Sequence, residues 1–284
     1  MKKVLLIAIA TWLVGFQVKS QDSFAYYQLN LFSDPKEKLI LMENQDDPFF
    51  LLQAVNILED VRVTKNWEEL TKVLDQKMKR EVGDVRMLYE LFFTTHQLML
   101  KDYAKHANFS NTLTDGVYDC VTGTGLFALV LDRYQIPYDI VETDEHVYIK
   151  GLLDKMPFII ESTFPKNGLI TGAKQIMKFE RQFLPNGNKS DQGISTLSLG
   201  KLNESPHSSK MYLNYIGLKE LAGLQYYNDA IKKFDDKEYQ NAYKQLIKAA
   251  YLYPSPRIND LKSKMMELLG VVSVEFQMQQ VSLK

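Results

Sequence analysis

Apolar residues recur at three- and four-residue spacing through much of the first hundred residues. This spacing predicts amphipathic helices at Phe49 to Leu58, Trp67 to Val82 and Met87 to Tyr103. We therefore predict an N-terminal helical region over residues 21–107. His96 lies in the last of these helices, and no second ligand follows it at helical spacing. We expect a packed histidine there, with a metal or catalytic role as the alternative.

The apolar pattern changes between residues 108 and 184, which we predict as the core. A polar loop ends at Gly116, and a helix is predicted from about Cys120 to the Ile136-Pro137 pair, where proline ends it. Three following segments are rich in Ile, Val, Tyr and Phe and are predicted strands: Tyr138 to Glu142, His146 to Leu152 and Phe158 to Thr163. The expected fold class is α+β, a helix packed on a small antiparallel sheet and flanked by N- and C-terminal helices.

The rest of the chain is first polar and then helical. Residues 185–210 hold the runs PNGNKSDQG and NESPHSS, which predict a polar loop or linker. Residues 211–284 return to helical spacing and are predicted as a C-terminal helical region.

The overall charge excludes some classes of partner. The chain has 284 residues and a formal net charge of −1, so it lacks the basic surface that nucleic acids or anionic membranes attract. Its 45% hydrophobic and 24% charged residues are an ordinary balance for a globular protein with a core.

The N-terminus has the pattern of a secretory signal peptide. Lys2 and Lys3 precede a short apolar run from Val4 to Phe16, and small residues follow near Ser20. We predict a signal peptide over residues 1–20, cleavage near Ser20, and an exported, periplasmic or extracellular protein. A membrane-anchoring helix is the alternative, but the run is shorter than the roughly 20 residues that a span needs.

Cys120 is the only cysteine in the chain, so it cannot form an internal disulfide. Exported proteins usually pair or eliminate their thiols, which leaves a buried small hydrophobe or a reactive group as the two interpretations. The amides of a helix N-terminus stabilise a thiolate. Gly123 and Gly125 in the first turns permit close approach of another segment, either at a site or in plain helix packing.

Cys120, His146 and Glu161 together supply a thiol, an imidazole and a carboxylate, the parts of a cysteine nucleophile with its base and orienting acid. The short connection between the last two predicted strands indicates an antiparallel hairpin. A tip at Leu153-Asp154 places His146 directly opposite Glu161, with Cβ atoms roughly 5 Å apart. The carboxylate would then orient the imidazole, and the other ring nitrogen would face the thiol.

The runs DCVTGTGLFALVLDRYQIPYDIV, EHVYIK and FIIESTFP resemble the core of the transglutaminase-like superfamily of papain-like cysteine enzymes. In that superfamily a cysteine begins a helix, a histidine leads one strand and an acid lies on the next, often as Asp-Pro-Thr. The resemblance implies Cys120 as nucleophile, His146 as general base and Glu161 as orienting acid. The chain departs from the pattern in having Glu161 for Asp, Ser162 for Pro, and Tyr148 where a Trp often stands.

This resemblance implies acyl transfer at an amide bond through a thioester, with a peptide or protein as substrate. We expect a hydrolase, a peptidase or amidase, rather than a cross-linking enzyme, because nothing in the sequence suggests a second, amine-binding site. The backbone amide of Cys120 is the expected oxyanion donor, with Tyr118 as either a second donor or a packed aromatic. The alternatives are a non-catalytic protein of the same fold that binds a peptide or protein, and a helical interaction module in which Cys120 is only core.

Near the C-terminus, Ala242, Leu246, Ala249 and Pro254 resemble the second helix of one tetratricopeptide unit. Since about three repeats are needed to bury a continuous core, we expect a helical hairpin packed on the main domain, with a peptide-binding array as the alternative. A protein partner for these helices remains an open expectation. No cofactor or metal is expected, because no Asp-x-Asp-x-Asp-Gly calcium loop occurs.

Overall fold

A computed structural model describes residues 31–79, 84–183 and 213–269. The predicted signal peptide and the predicted linker at 185–210 lie outside these residues. The described chain is α+β, as the sequence predicted. Its helices are α1 (Pro35–Glu43), α2 (Pro48–Gln53), α3 (Val61–Met78), α4 (Asp84–Met99), α5 (Phe109–Thr114), α6 (Cys120–Arg133), α7 (Ala173–Glu180), α8 (Leu218–Asp235), α9 (Tyr239–Leu252) and α10 (Pro256–Leu268). Its strands are β1 (Asp102–Tyr103), β2 (Val117–Tyr118), β3 (Tyr138–Glu142), β4 (Val147–Leu153), β5 (Met156–Ile160), β6 (Leu169–Ile170) and β7 (Asn214–Ile216).

Aspartates begin the first three helices of the N-terminal region. The side chains of Asp34, Asp47 and Asp60 each accept a hydrogen bond from a backbone amide of the first turn. Asp60 starts α3 at Val61, six residues before the predicted start at Trp67. The apolar spacing alone did not show this cap, because the first turn of α3 is largely exposed.

The five-stranded sheet has the order β6-β5-β4-β3-β7 and is antiparallel throughout. Alternate side chains face opposite sides of a strand, and both sides of this sheet are covered. Helix α6 packs on one side, where Ile140, Ile149 and Ile160 join the main core. Helix α7 covers the other side, where Tyr148 and Ile159 pack with its apolar residues.

The β4–β5 hairpin has a different turn from the predicted one. Asp154 and Lys155 form its tip, both with positive φ (44° and 71°), as a two-residue turn requires. Ile149 therefore pairs with Ile160, and the register is shifted by two residues. The predicted direct opposition of His146 and Glu161 is wrong, but a shift of two keeps both residues on one face of the sheet.

The C-terminal region adds a strand as well as helices. Strand β7 pairs with β3 at one edge of the sheet, although only helices were predicted after residue 210. Helices α8 and α9 form a hairpin joined by a short turn at Lys237, and α8 packs on α6. One continuous core cluster extends from Leu41 to Met265. In the described parts of the chain, no helix has both the length and the apolar character that a membrane crossing demands.

Candidate active site

Cys120 is the first residue of α6, and a buried aspartate caps that helix. The Asp119 carboxylate accepts hydrogen bonds from the Thr122 amide, at 2.8 Å, and from the amide of Val121, and the Thr122 hydroxyl accepts one from the Asp119 amide. Burial raises the pKa of Asp119 to about 6, because desolvation penalises its charged form. Cys120 itself is half-buried, so its thiol is neither enclosed in the core nor fully in water.

His146 immediately precedes β4 and is held by a tight turn. The amide of Thr143 donates to the His146 carbonyl at 2.8 Å, and the amide of His146 donates to the Thr143 hydroxyl at 2.9 Å. Its ring pairs with the Glu161 carboxylate, and the Cys120 side chain lies close enough to the ring to influence its pKa. Since Nε2 pairs with Glu161 Oε2, Nδ1 is the ring nitrogen left to serve the thiol.

Glu161 follows β5 and is fully buried. One of its oxygens, Oε2, pairs with His146, while Oε1 accepts the Thr163 amide at 2.8 Å and the Thr163 hydroxyl at 2.6 Å. A tight loop holds the backbone, since the Glu161 amide donates to the Gly168 carbonyl at 2.8 Å. A Cβ at Gly168 would lie 2.1 Å from the Glu161 carbonyl oxygen, so only glycine fits there.

The imidazole and the carboxylate stabilise each other's charge. Burial alone would lower the pKa of His146, but the charge of Glu161 and the interaction with Cys120 outweigh it, and the pKa lies well above its usual value. Burial would likewise raise the pKa of Glu161, yet the charge of His146 and the bonds from Thr163 hold it below its usual value. The pair therefore favours an imidazolium next to a carboxylate.

Gly123 allows α6 to lie directly against the segment that carries Glu161. A Cβ at Gly123 would lie 2.7 Å from the Ser162 hydroxyl and 3.2 Å from the Tyr118 ring, whereas a Cβ at Gly125 would meet only leucine side chains, the nearest at 3.2 Å. Of the two interpretations of these glycines, close approach at the site applies to Gly123 and helix packing to Gly125.

Tyr118 and His96, the two other residues considered for a role at the site, are buried. Tyr118 is buried, with its ring near those of His96 and Tyr103. His96 is also buried, and the ring of Phe92 lies edge-on to it with centroids 4.8 Å apart. Burial lowers the pKa of His96 to about 4, so this histidine is neutral at pH 7.

The structure adds neighbours of the site that sequence reasoning missed. Thr163 binds Glu161, and the ring of Phe183 stacks on that of His146 with centroids 6.2 Å apart. Tyr103 and Arg257 lie close enough to interact electrostatically with Cys120. Only Thr163 carried a sequence signal, as the last residue of the Glu-Ser-Thr triplet; the others come from other segments of the chain.

The structure thus brings together all three predicted site residues, in a chain of contacts from thiol to imidazole to carboxylate. Such a chain of contacts is suited to generating a nucleophilic sulfur.

No family model, curated protein or solved structure gives a significant match to this protein. Within the described residues, no group of three His, Cys, Asp or Glu side chains is arranged to hold a metal ion.

Proposed function

We propose that this chain is an exported cysteine enzyme of transglutaminase-like fold that transfers the acyl group of an amide through a thioester. One observation carries the proposal: the half-buried thiol of Cys120 lies within interaction range of the His146 ring, and that ring is held by Glu161. A packed core cysteine has no need of such a pair. The helix that begins at the cysteine, packed on an antiparallel sheet that presents the histidine and the acid, supports the same fold family.

The proposed reaction begins with the Cys120 sulfur as a thiolate and His146 as an imidazolium. The sulfur attacks the amide carbonyl, and the resulting tetrahedral oxyanion is stabilised by backbone amides at the start of α6. Asp119 occupies the amides of Val121 and Thr122, so the amide of Cys120 is the donor we assign. His146 then gives its proton to the leaving amine, which departs and leaves a thioester on Cys120.

Water completes the cycle in the reaction we favour. His146, now neutral, accepts a proton from water, whose oxygen attacks the thioester and releases a carboxylic acid and the Cys120 sulfur. Glu161 stays ionised throughout and holds the ring in position. A peptide or protein is the substrate class that we propose. Nothing in the sequence suggests a second, amine-binding site, so hydrolysis is proposed ahead of cross-linking.

Alkylation of Cys120 tests the proposal directly. Iodoacetamide at neutral pH should label the folded protein rapidly, and His146→Ala should slow the labelling about 100-fold, since the imidazole promotes ionisation of the sulfur. A thiol that stays inert until the protein unfolds would contradict the proposal. Urea unfolding curves of both proteins serve as the folding control.

Turnover separates the enzyme from a binding protein of the same fold. The wild-type protein should release amines from members of a peptide library, and Cys120→Ala should release none. Incorporation of a fluorescent primary amine into a glutamine-rich protein, without hydrolysis, would instead indicate cross-linking. A reactive thiol with neither activity would favour the non-catalytic alternative.

A further inference from the structure

Arg257 connects the C-terminal helices to the candidate active site. It is the second residue of α10, directly after Pro256, and its side chain is only 19% exposed. The proposed function assigns it no role, and its position in the sequence gave no reason to expect one. Nevertheless, its guanidinium lies at the turn that precedes His146.

The guanidinium joins two points of that turn. Nη2 donates to the buried carboxylate of Glu142 at the end of β3, and Nη1 donates to the carbonyl of Asp144 at 3.0 Å. The Tyr253 hydroxyl donates to the second oxygen of Glu142 and accepts from the Asn214 amide group at 2.6 Å. Two residues of the C-terminal region therefore bind the carboxylate that ends β3.

The same turn fixes the backbone of His146. Thr143 lies between Glu142 and Asp144, and its hydroxyl and amide bind the backbone of His146. A planar guanidinium can donate in two directions at fixed angles, which an ammonium group cannot reproduce. Arg257 therefore contacts the turn on either side of Thr143. These contacts constrain the turn and, through it, the position of the imidazole.

Arg257 also lies within electrostatic range of Cys120. Burial lowers the pKa of Arg257 to about 10, and its interaction with Cys120 opposes that shift. The cation is partly desolvated, with the ring of Tyr227 5.6 Å from the guanidinium carbon. A guanidinium with a pKa of about 10 remains charged at neutral pH.

We propose that Arg257 is a positioning residue of the thiol–imidazole site: it holds the turn that carries His146. This inference rests on the proposed function. It makes the C-terminal helices part of the active site, although they contribute no side chain to the thiol–imidazole–carboxylate chain.

The test is the alkylation rate of Cys120 by iodoacetamide between pH 6 and pH 9. We expect Arg257→Gln to slow alkylation about 10-fold at pH 6, because the imidazole is less well placed beside the thiol. The effect should be smaller at pH 9, which lies above the ordinary pKa of a cysteine thiol. Arg257→Lys keeps the charge but not the two-point contact and should fall between. The other ionisable groups near the sulfur are unchanged in these variants: His146, Glu161, Asp119 and Tyr103.

Two further variants keep the test decisive. Glu142→Gln combined with Arg257→Gln leaves no unpaired buried charge, so it should fold even if Arg257→Gln alone does not, and it should still be slow. Arg133→Gln removes an arginine at the opposite end of α6, paired with Asp75 on the surface, and should alkylate at the wild-type rate.

The outcomes distinguish the two proposals. Wild-type rates and an unchanged pH profile in folded Arg257 variants would overturn the positioning role while leaving the proposed function intact. If His146→Ala alkylates as fast as the wild-type protein, the proposed function itself fails, and the role of Arg257 fails with it.

Discussion

At the scale of single residues, Glu161 shows how a departure from the transglutaminase-like pattern that we propose for this chain suits the structure. The register of the hairpin offsets His146 and Glu161 diagonally instead of opposing them directly. Diagonal neighbours in an antiparallel pair are roughly 7–8 Å apart, a separation that long side chains can bridge. Glutamate is one bond longer than aspartate, and Thr163 fixes its second oxygen. The longer acid therefore compensates for the offset.

Replacing Glu161 by glutamine should disable the site without removing its shape. The amide no longer stabilises an imidazolium, so we expect Cys120 alkylation and peptide turnover to fall about 100-fold or more, with the fold retained. Stopped-flow alkylation at pH 7 measures this effect. Glu180→Gln, which removes a half-exposed partner of Lys150, is the matched control. Equal rates in the two variants would show that Glu161 is structural only.

The lowered pKa of the buried His96 predicts that the folded protein loses stability in acid. Its folded pKa is about 4 and lies below the unfolded value of about 6.5, so the unfolded chain binds the extra proton between these pH values. Its contribution is intact above about pH 6.5 and is lost as the pH falls to 4, by an amount of about 3 kcal/mol. The unfolding free energies of wild type and His96→Leu, compared from pH 7 to pH 4 by urea denaturation, should diverge by this amount. Parallel pH curves would contradict the assignment.

At the scale of elements, the site depends on how closely α6 approaches the segment after β5. Gly123 faces Ser162 across this contact, and Gly168 closes the loop that presents Glu161. The thiol and the acid are thus brought together by a backbone approach that no side chain would permit. The helix and the hairpin must keep their spacing for the thiol–imidazole–carboxylate chain to form.

Gly123→Ala should therefore impair both stability and reactivity. Its methyl group would lie 2.7 Å from the Ser162 hydroxyl, and we expect a loss of about 1–3 kcal/mol in unfolding free energy together with slower alkylation of Cys120. Gly125→Ala is the control on the same helix, because its methyl group meets leucine side chains that can move. Alanine also improves helix propensity there, so that variant should be close to wild type. An equally small effect at both positions would rule out the close-approach role.

At the scale of the whole molecule, the C-terminal helices α8 and α9 make polar contacts with α1 and with the N-terminal cap of α6. A buried ion pair joins Lys248 of α9 to Glu37 of α1 at 2.7 Å, and the Tyr226 hydroxyl of α8 donates to the same carboxylate at 2.9 Å. Asn228 of α8 reaches the Asp119 cap at 3.4 Å. These contacts show that the hairpin of α8 and α9 is packed on the rest of the described chain.

Removing one partner of the buried pair should be more damaging than removing both. Lys248→Met leaves the Glu37 charge unpaired, and we expect it to lower the unfolding free energy by about 3–5 kcal/mol. Glu37→Gln combined with Lys248→Met should recover most of that loss. Urea denaturation at pH 7 measures both variants. A double variant as unstable as the single one would show that packing, not charge, governs the contact.

The features that could be predicted from the sequence are those that depend on local chemistry. The α+β class and the helix at Cys120 follow from periodicity and capping, and both agree with the structure. Strand β7 was missed because three residues are too few to establish an alternating pattern. The register was misjudged because Asp154 and Lys155 lack the glycine that usually marks a two-residue turn. Arg257 gave no signal, since its contacts arise only when α10 docks. The catalytic roles of the trio stay a prediction.

The single sulfhydryl of this protein allows the reactive molecules in a sample to be counted. Because Cys120 is the only cysteine and is half-buried at the start of a helix, one covalent adduct corresponds to one chain. Intact-mass spectrometry after a brief exposure to reagent therefore gives the fraction of competent molecules in any preparation. Turnover numbers can then be normalised to active centres, and a damaged batch can be recognised before any substrate is known.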